Sequence, residues 1–160
     1  ALSSAASDVY KRQVLGHVGR FDVRKNHERL LEIFAAFLQL EPRAMLVLIG
    51  TGRLEQAVRA QAQTLGITDH ILFAGLQSNV ADWYQLMDLF VMPSRFEGLP
   101  VVGIEAQAAG LGCVFSDAVP EKCCFRPTPS RSRFLPAMQT GRQACSGCSN
   151  SPVTALPVQR

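Results

Sequence analysis

No apolar run in the chain approaches the about 20 residues that a membrane-crossing helix requires. No secretory leader is visible among its 160 residues. Both absences set the expectation of a cytoplasmic protein. Acids are missing beyond Phe125, where five arginines (Arg126, Arg131, Arg133, Arg142 and Arg160) stand unopposed. Taking those five charges from the formal net charge of +3 leaves −2 for the rest, so a nucleic-acid partner is not expected. Metal-ligand patterns are equally thin. Cys145 and Cys148 have the spacing of half a zinc site, but no second C-x-x-C pair exists and all three histidines precede residue 71. Adjacent Cys123 and Cys124 could complete four ligands; the preferred reading is free thiols in a reducing cytosol and no metal. A dinucleotide fingerprint is also incomplete. Gly50-Thr51-Gly52 lacks its third glycine, because Gln56 and Ala57 fall where it should be, and no acid closes the next strand. A dehydrogenase is therefore disfavoured.

What is present is alternation. Hydrophobic residues make up 48% of the chain, enough for one domain with a core. Apolar runs at 14–21, 45–49, 71–74, 89–92 and 113–116 read as strands of a parallel sheet. Between them lie helical patterns. The first, with Asn26 as its cap, carries Leu30, Leu31, Phe34, Phe37 and Leu38 on one face and stops at Pro42. The second carries Leu54, Val58, Ala62 and Leu65 and closes at Gly66. The third, capped by Asn79, carries Val80, Trp83, Leu86 and Met87, with Trp83 read as core. The fourth begins at Pro100 and runs to about Ala109, with Gly110 just beyond its end. Strand and helix in turn predict a Rossmann-like α/β fold with a doubly wound parallel sheet. Ligands of such sheets bind beyond the carboxyl ends of the strands. Arg20, Lys25, Gly50, Leu76, Glu97 and Glu105 all follow such ends. Two cations at a helix start oppose its macrodipole, and a bound diphosphate would supply the reason. His17 and His70 read as structural or exposed; His27 lies nearer the basic turn.

The stretch 94–110, Ser-Arg-Phe-Glu-Gly-Leu-Pro-Val-Val-Gly-Ile-Glu-Ala-Gln-Ala-Ala-Gly, is the centre of the chain. Gly98 allows a tight turn or a close ligand approach, and free N–H groups at the helix start suit an anion or a sugar hydroxyl. Glu97 and Glu105, with seven residues between them, can face one polyhydroxyl ligand. The stretch resembles the E-x7-E motif of the retaining glycosyltransferases of the GT-B fold, family 4. The resemblance covers about 14–120 and its wording looks like the capsular and exopolysaccharide branch. The chain departs from the family at Asn26-His27, where Gly often follows the Lys, and at Gly112, where Pro is common.

The resemblance implies one half of a GT-B enzyme, the donor-binding domain. The intact enzyme would transfer a hexose from a nucleotide diphosphate sugar to a saccharide or lipid-linked acceptor, with retention. Arg20, Lys25 and Glu97 would be catalytic: the cations on the diphosphate, Glu97 on the sugar. Gly19, Gly50, Leu76, Gln77, Gly98, Leu99, Pro100, Val101 and Glu105 would bind the donor, Leu76 and Gln77 at the base and Glu105 at the ribose. No cofactor or metal is needed in the family. An N-terminal acceptor domain would supply the opposite wall, and the full protein could lie at the inner face of the membrane. A nucleotide-sugar epimerase of similar architecture, or a fragment that binds donor without turnover, remain the alternatives.

Both ends read differently. Residues 1–13 lack periodicity, and Asp8-Val-Tyr-Lys-Arg-Gln13 is what the transposase adapter GATGTGTATAAGAGACAG encodes, so a linker or an adapter scar is expected there. The family usually continues with Lys-Glu, whereas here Glu121-Lys122 opens a segment rich in Ser, Pro and Arg. Residues 121–160 are expected to be disordered or frameshifted.

Overall fold

The computed structural model describes residues 12–120 and Cys123. The expectations for 1–11 and for the tail, Cys123 apart, lie outside the described residues. The elements run β1 (Val14–Val18), α1 (His27–Leu38), β2 (Met45–Ile49), α2 (Glu55–Thr64), a 3-10 turn (Thr68–His70), β3 (Ile71–Gly75), α3 (Val80–Leu86), β4 (Leu89–Met92), α4 (Val101–Ala108) and β5 (Gly112–Phe115). The sheet has five strands in the order β3-β2-β1-β4-β5, and every pairing is parallel. This is the Rossmann-like α/β architecture that the alternation predicts.

Period-two alternation sends successive side chains to opposite faces, and here both faces are covered. Leu15, Leu46, Leu48, Leu89 and Val91 pack with Leu30, Leu31 and Phe34 of α1 and with Val58 and Ala62 of α2. Val18, Val47, Ile49, Phe90 and Met92 pack on the other face with Tyr84 of α3 and Ala106 of α4. The strand order reverses between β1 and β4, which leaves a crevice at their carboxyl ends.

Helix ends follow local chemistry. At Gly110 (φ 80) the Gly110 N–H donates to Gln107 O at 2.9 Å and Leu111 N–H to Ala106 O at 3.1 Å, which closes α4 in a Schellman motif. Helix α2 ends the same way at Gly66 (φ 68), with Gly66 N–H on Gln63 O and Ile67 N–H on Ala62 O.

Other expectations need correction. Strand β1 stops at Val18, past the end of its pairing with β4, although Gly19 N–H still bonds Ile49 O at 2.9 Å and Phe21 N–H bonds Thr51 O at 3.1 Å on the β2 side. Neither Asn26 nor Asn79 caps its helix through its side chain. The Asn79 amide is drawn instead to the Asp82 carboxylate. Pro100 is the residue before the first helical turn, not the first of it. Leu86 is 66% exposed, because the chain straightens at Met87 and turns that side chain inward instead.

Candidate functional site

Two loops frame the crevice: residues 19–26 after β1 and 93–100 after β4. They are tied to each other by three bonds. Arg95 N–H donates to Arg24 O at 2.7 Å, and Asn26 Nδ2 donates to Pro93 O at 3.1 Å. The third is between side chains: Lys25 Nζ donates to Glu97 Oε1 at 2.6 Å, with only 17% and 12% of those side chains exposed. Two residues expected from separate motifs thus form one half-buried ion pair across the point where strand order reverses. Asn26 has φ 55, a left-handed conformation that Asn tolerates better than other non-glycine residues. This explains how Asn stands where the family often has Gly. The turn before it is shaped by Asp22, whose Oδ1 accepts from the Arg24 and Lys25 N–H groups. Those bonds and Arg24 itself hold the Asp22 carboxyl below its usual range, although its burial pulls the other way and is the largest single influence.

Arg20 is exposed at the carboxyl end of β1; its carbonyl accepts from Asp22 N–H at 2.8 Å, and its guanidinium pairs with no other side chain among the described residues. Gly19 and Gly50 stack edge to edge. Gly50 has φ 131, and a Cβ there would sit 2.1 Å from Gly19 O. Gly50 N–H donates to Gly75 O at 2.7 Å, which carries the same edge on to the loop after β3. There Leu76 is 81% exposed, and the Gln77 side-chain amide turns back to Ala74 O at 2.6 Å. In the second loop Gly98 and Leu99 are exposed, and a Cβ at Gly98 would meet nothing within 4 Å. Gly98 is not among the positive-φ residues, so open space above the backbone, not a special turn, is what the glycine leaves. Val101 N–H is engaged by Leu99 O at 2.9 Å and Pro100 has no N–H, so among residues 98–101 the amides open to a ligand are those of Gly98 and Leu99. Glu105 lies just over one turn into α4 and accepts from the Tyr84 hydroxyl at 3.1 Å.

Sequence reasoning missed a second feature. His17 and His27 meet edge to face below the first loop, ring centroids 4.8 Å apart. His27 also stacks on Phe21 at 4.2 Å. His17 Nδ1–H donates to Val91 O at 2.8 Å. Burial, with His27 and Lys25 adding to it, pushes the His17 pKa down to about 3. Burial pushes His27 down to about 4, helped by Lys25 and opposed by Asp22. Only the contact between β1 and α1, ten residues apart in the chain, distinguishes this pair from two isolated histidines; the sequence alone carries no signal for it. Both rings are neutral when folded and protonate near pH 6.5 when unfolded, so stability is full above that pH and is lost as pH falls below it. We expect the melting temperature to drop steadily from pH 6.5 to 4, and His27→Phe, which keeps a ring on Phe21, to shallow that slope. A wild-type melting temperature flat over this range would show that the pair does not titrate on unfolding.

Among the described residues no helix is long and apolar enough to cross a membrane, and no group of three or more His, Cys, Asp or Glu could hold a metal ion.

The parallel doubly wound sheet gathers basic and acidic side chains at its switch point, the place where ligands of such sheets bind. Residues 5–123 match the family described as Glycosyl transferases group 1, and the chain belongs to that family. It is 41% identical over 111 residues to the putative glycosyltransferase EpsF of Bacillus subtilis, covering 69% of this chain and 29% of that protein. It is 39% identical over 111 residues to the Vi polysaccharide biosynthesis protein VipC/TviE of Salmonella typhi, covering 69% of this chain and 19% of that one. Among solved structures, Anabaena Alr3699/HepE in complex with UDP and glucose superposes with a TM-score of 0.62 at 22% identity, over 73% of this chain and 33% of that one. That likeness establishes a shared fold, the GT-B type of Rossmann-like domain. The chain spans less than a third of the length of these proteins.

Proposed function

We propose that this chain is the donor-binding half of a retaining glycosyltransferase of family 4, in the branch that builds capsular and exopolysaccharides. The observation that carries the reading is the Lys25–Glu97 pair at 2.6 Å, set across the strand-order reversal beside the exposed Arg20. Arg20 and Lys25 take the donor's diphosphate, and their charge counts most as negative charge grows on the departing group. Glu97 accepts from the sugar hydroxyls, helped by the Gly98 and Leu99 amides. Glu105 accepts from the ribose diol, and the loop at Leu76 and Gln77 meets the base. The two lysine and arginine cations serve where another enzyme would use a metal. A second domain brings a saccharide or lipid-linked acceptor, and the complete protein works in the cytoplasm, at or near the membrane face. EpsF, named a putative glycosyltransferase, supports transfer over epimerisation, and VipC/TviE, named a Vi polysaccharide biosynthesis protein, supports polysaccharide synthesis.

Calorimetry on the purified chain tests the donor reading. UDP is the probe, because the HepE neighbour holds it. UDP should bind, and uridine should bind at least about tenfold more weakly, since the two cations serve the diphosphate. No UDP binding at millimolar concentration, or equal binding of uridine, would overturn the assignment. In the complete enzyme, proton NMR of the first product reports its anomeric configuration; inversion would remove the retaining mechanism.

A further inference from the structure

Tyr84 is the one buried residue of α3, 3% exposed. Its ring meets Phe90 edge to face at 6.0 Å, which fixes the phenol against the sheet. Its hydroxyl then reaches across to α4, where it lies 3.1 Å from Glu105 Oε2 and 3.1 Å from Val102 O. Both are acceptors, and a hydroxyl has a single proton to donate. The carboxylate is the stronger acceptor because it is charged. Burial above all, then Glu105, pushes the phenol's pKa well above its usual value, so the hydroxyl keeps its proton at neutral pH. Glu105 itself is exposed.

We propose that Tyr84 is the positioning residue for Glu105: it holds one carboxylate oxygen so that the other meets the ribose diol of a nucleoside diphosphate. The Val102 carbonyl is the hydroxyl's alternative acceptor. When Glu105 turns both oxygens to the diol, the Tyr84 proton moves to Val102 O and is not left unpaired in a buried site. The exposed carboxylate is thereby kept in one orientation at rest without being locked there. This inference rests on the reading of Glu105 as the ribose ligand.

Calorimetry with UDP and 2′-deoxy-UDP on the wild-type chain, Tyr84→Phe and Glu105→Gln separates the two. Phenylalanine keeps the ring against Phe90 and removes only the hydroxyl, and melting curves confirm that the fold persists. Wild type should prefer UDP over the deoxy form by roughly tenfold, the scale of one charge-assisted bond. Tyr84→Phe should weaken UDP binding several-fold, leave 2′-deoxy-UDP unchanged, and so collapse the preference. A purely structural tyrosine would weaken both ligands alike. If wild type and Tyr84→Phe share the preference while Glu105→Gln loses it, Glu105 is the ribose ligand and the positioning role is wrong. If wild type shows no preference, or Glu105→Gln keeps it, the ribose assignment fails and the role of Tyr84 falls with it.

Discussion

Lys25→Ala in the complete enzyme is expected to lower kcat about 100-fold, with a much smaller change in the donor's KM. Two consequences of the substitution must be separated. One is electrostatic: a cation facing the diphosphate is lost, and its interaction strengthens as the glycosidic bond breaks. The other is local: Glu97, with 12% of its side chain exposed, is left without its partner at 2.6 Å. Removing one member of such a pair costs more than the pair contributes, because a half-buried charge is stranded. The double variant Lys25→Ala, Glu97→Gln resolves the two. It should recover most of the melting temperature lost by Lys25→Ala and none of the turnover. Recovery of turnover with stability would assign the lysine to structure alone.

Gly50→Ala should unfold the domain more severely than any other single methyl addition at a glycine turn. At φ 131 the backbone is in a region that L-residues avoid, and the added carbon would lie 2.1 Å from Gly19 O and 2.9 Å from Gly19 C. Neither atom is the end of a flexible side chain, so the loops after β1 and β2 must part. The cost should be on the order of 4 kcal/mol, near the upper end for single substitutions. Gly66→Ala provides the control. Its φ is 68 with nothing within 4 Å, so it carries conformational strain without collision, about 1–2 kcal/mol. Urea unfolding of the two variants measures the difference. Equal losses would mean that the Gly19–Gly50 contact does not constrain the fold.

The architecture was legible because each strand is a short apolar run and α1 carries a clear apolar stripe. Runs such as Met-Leu-Val-Leu-Ile at β2 are what two covered faces require. The gathering of Arg20, Lys25, Gly50, Leu76, Glu97 and Glu105 at one edge followed from strand direction alone. What escaped was every relation between side chains distant in sequence. Asn26 could be seen as a helix cap, but its amide is taken by Pro93 O, 67 residues on. Lys25 and Glu97 belong to different motifs, and neither motif states that the two charges touch. Tyr84 looks like any core aromatic until Glu105 is placed opposite its hydroxyl. Local chemistry misled at Val101, whose amide is turned to Leu99 O by a bend that no residue type announces.

The central strand has one further implication, for the order of assembly. Strand β1 pairs with β2 across one helix, but its contacts with β4 span 74 residues, as in Val14 N–H to Asp88 and His17 to Val91 O. Closing so long a loop is slow and is rewarded only after the chain has been committed. On the ribosome, β1, α1, β2, α2 and β3 emerge complete before β4 exists, and they can already cover one face of the sheet. The side of β1 that awaits β4 is meanwhile an open edge, a template for the wrong strand. Lys25 and Glu97 meet only when that edge is closed, so the crevice is the last part of the domain to come into being.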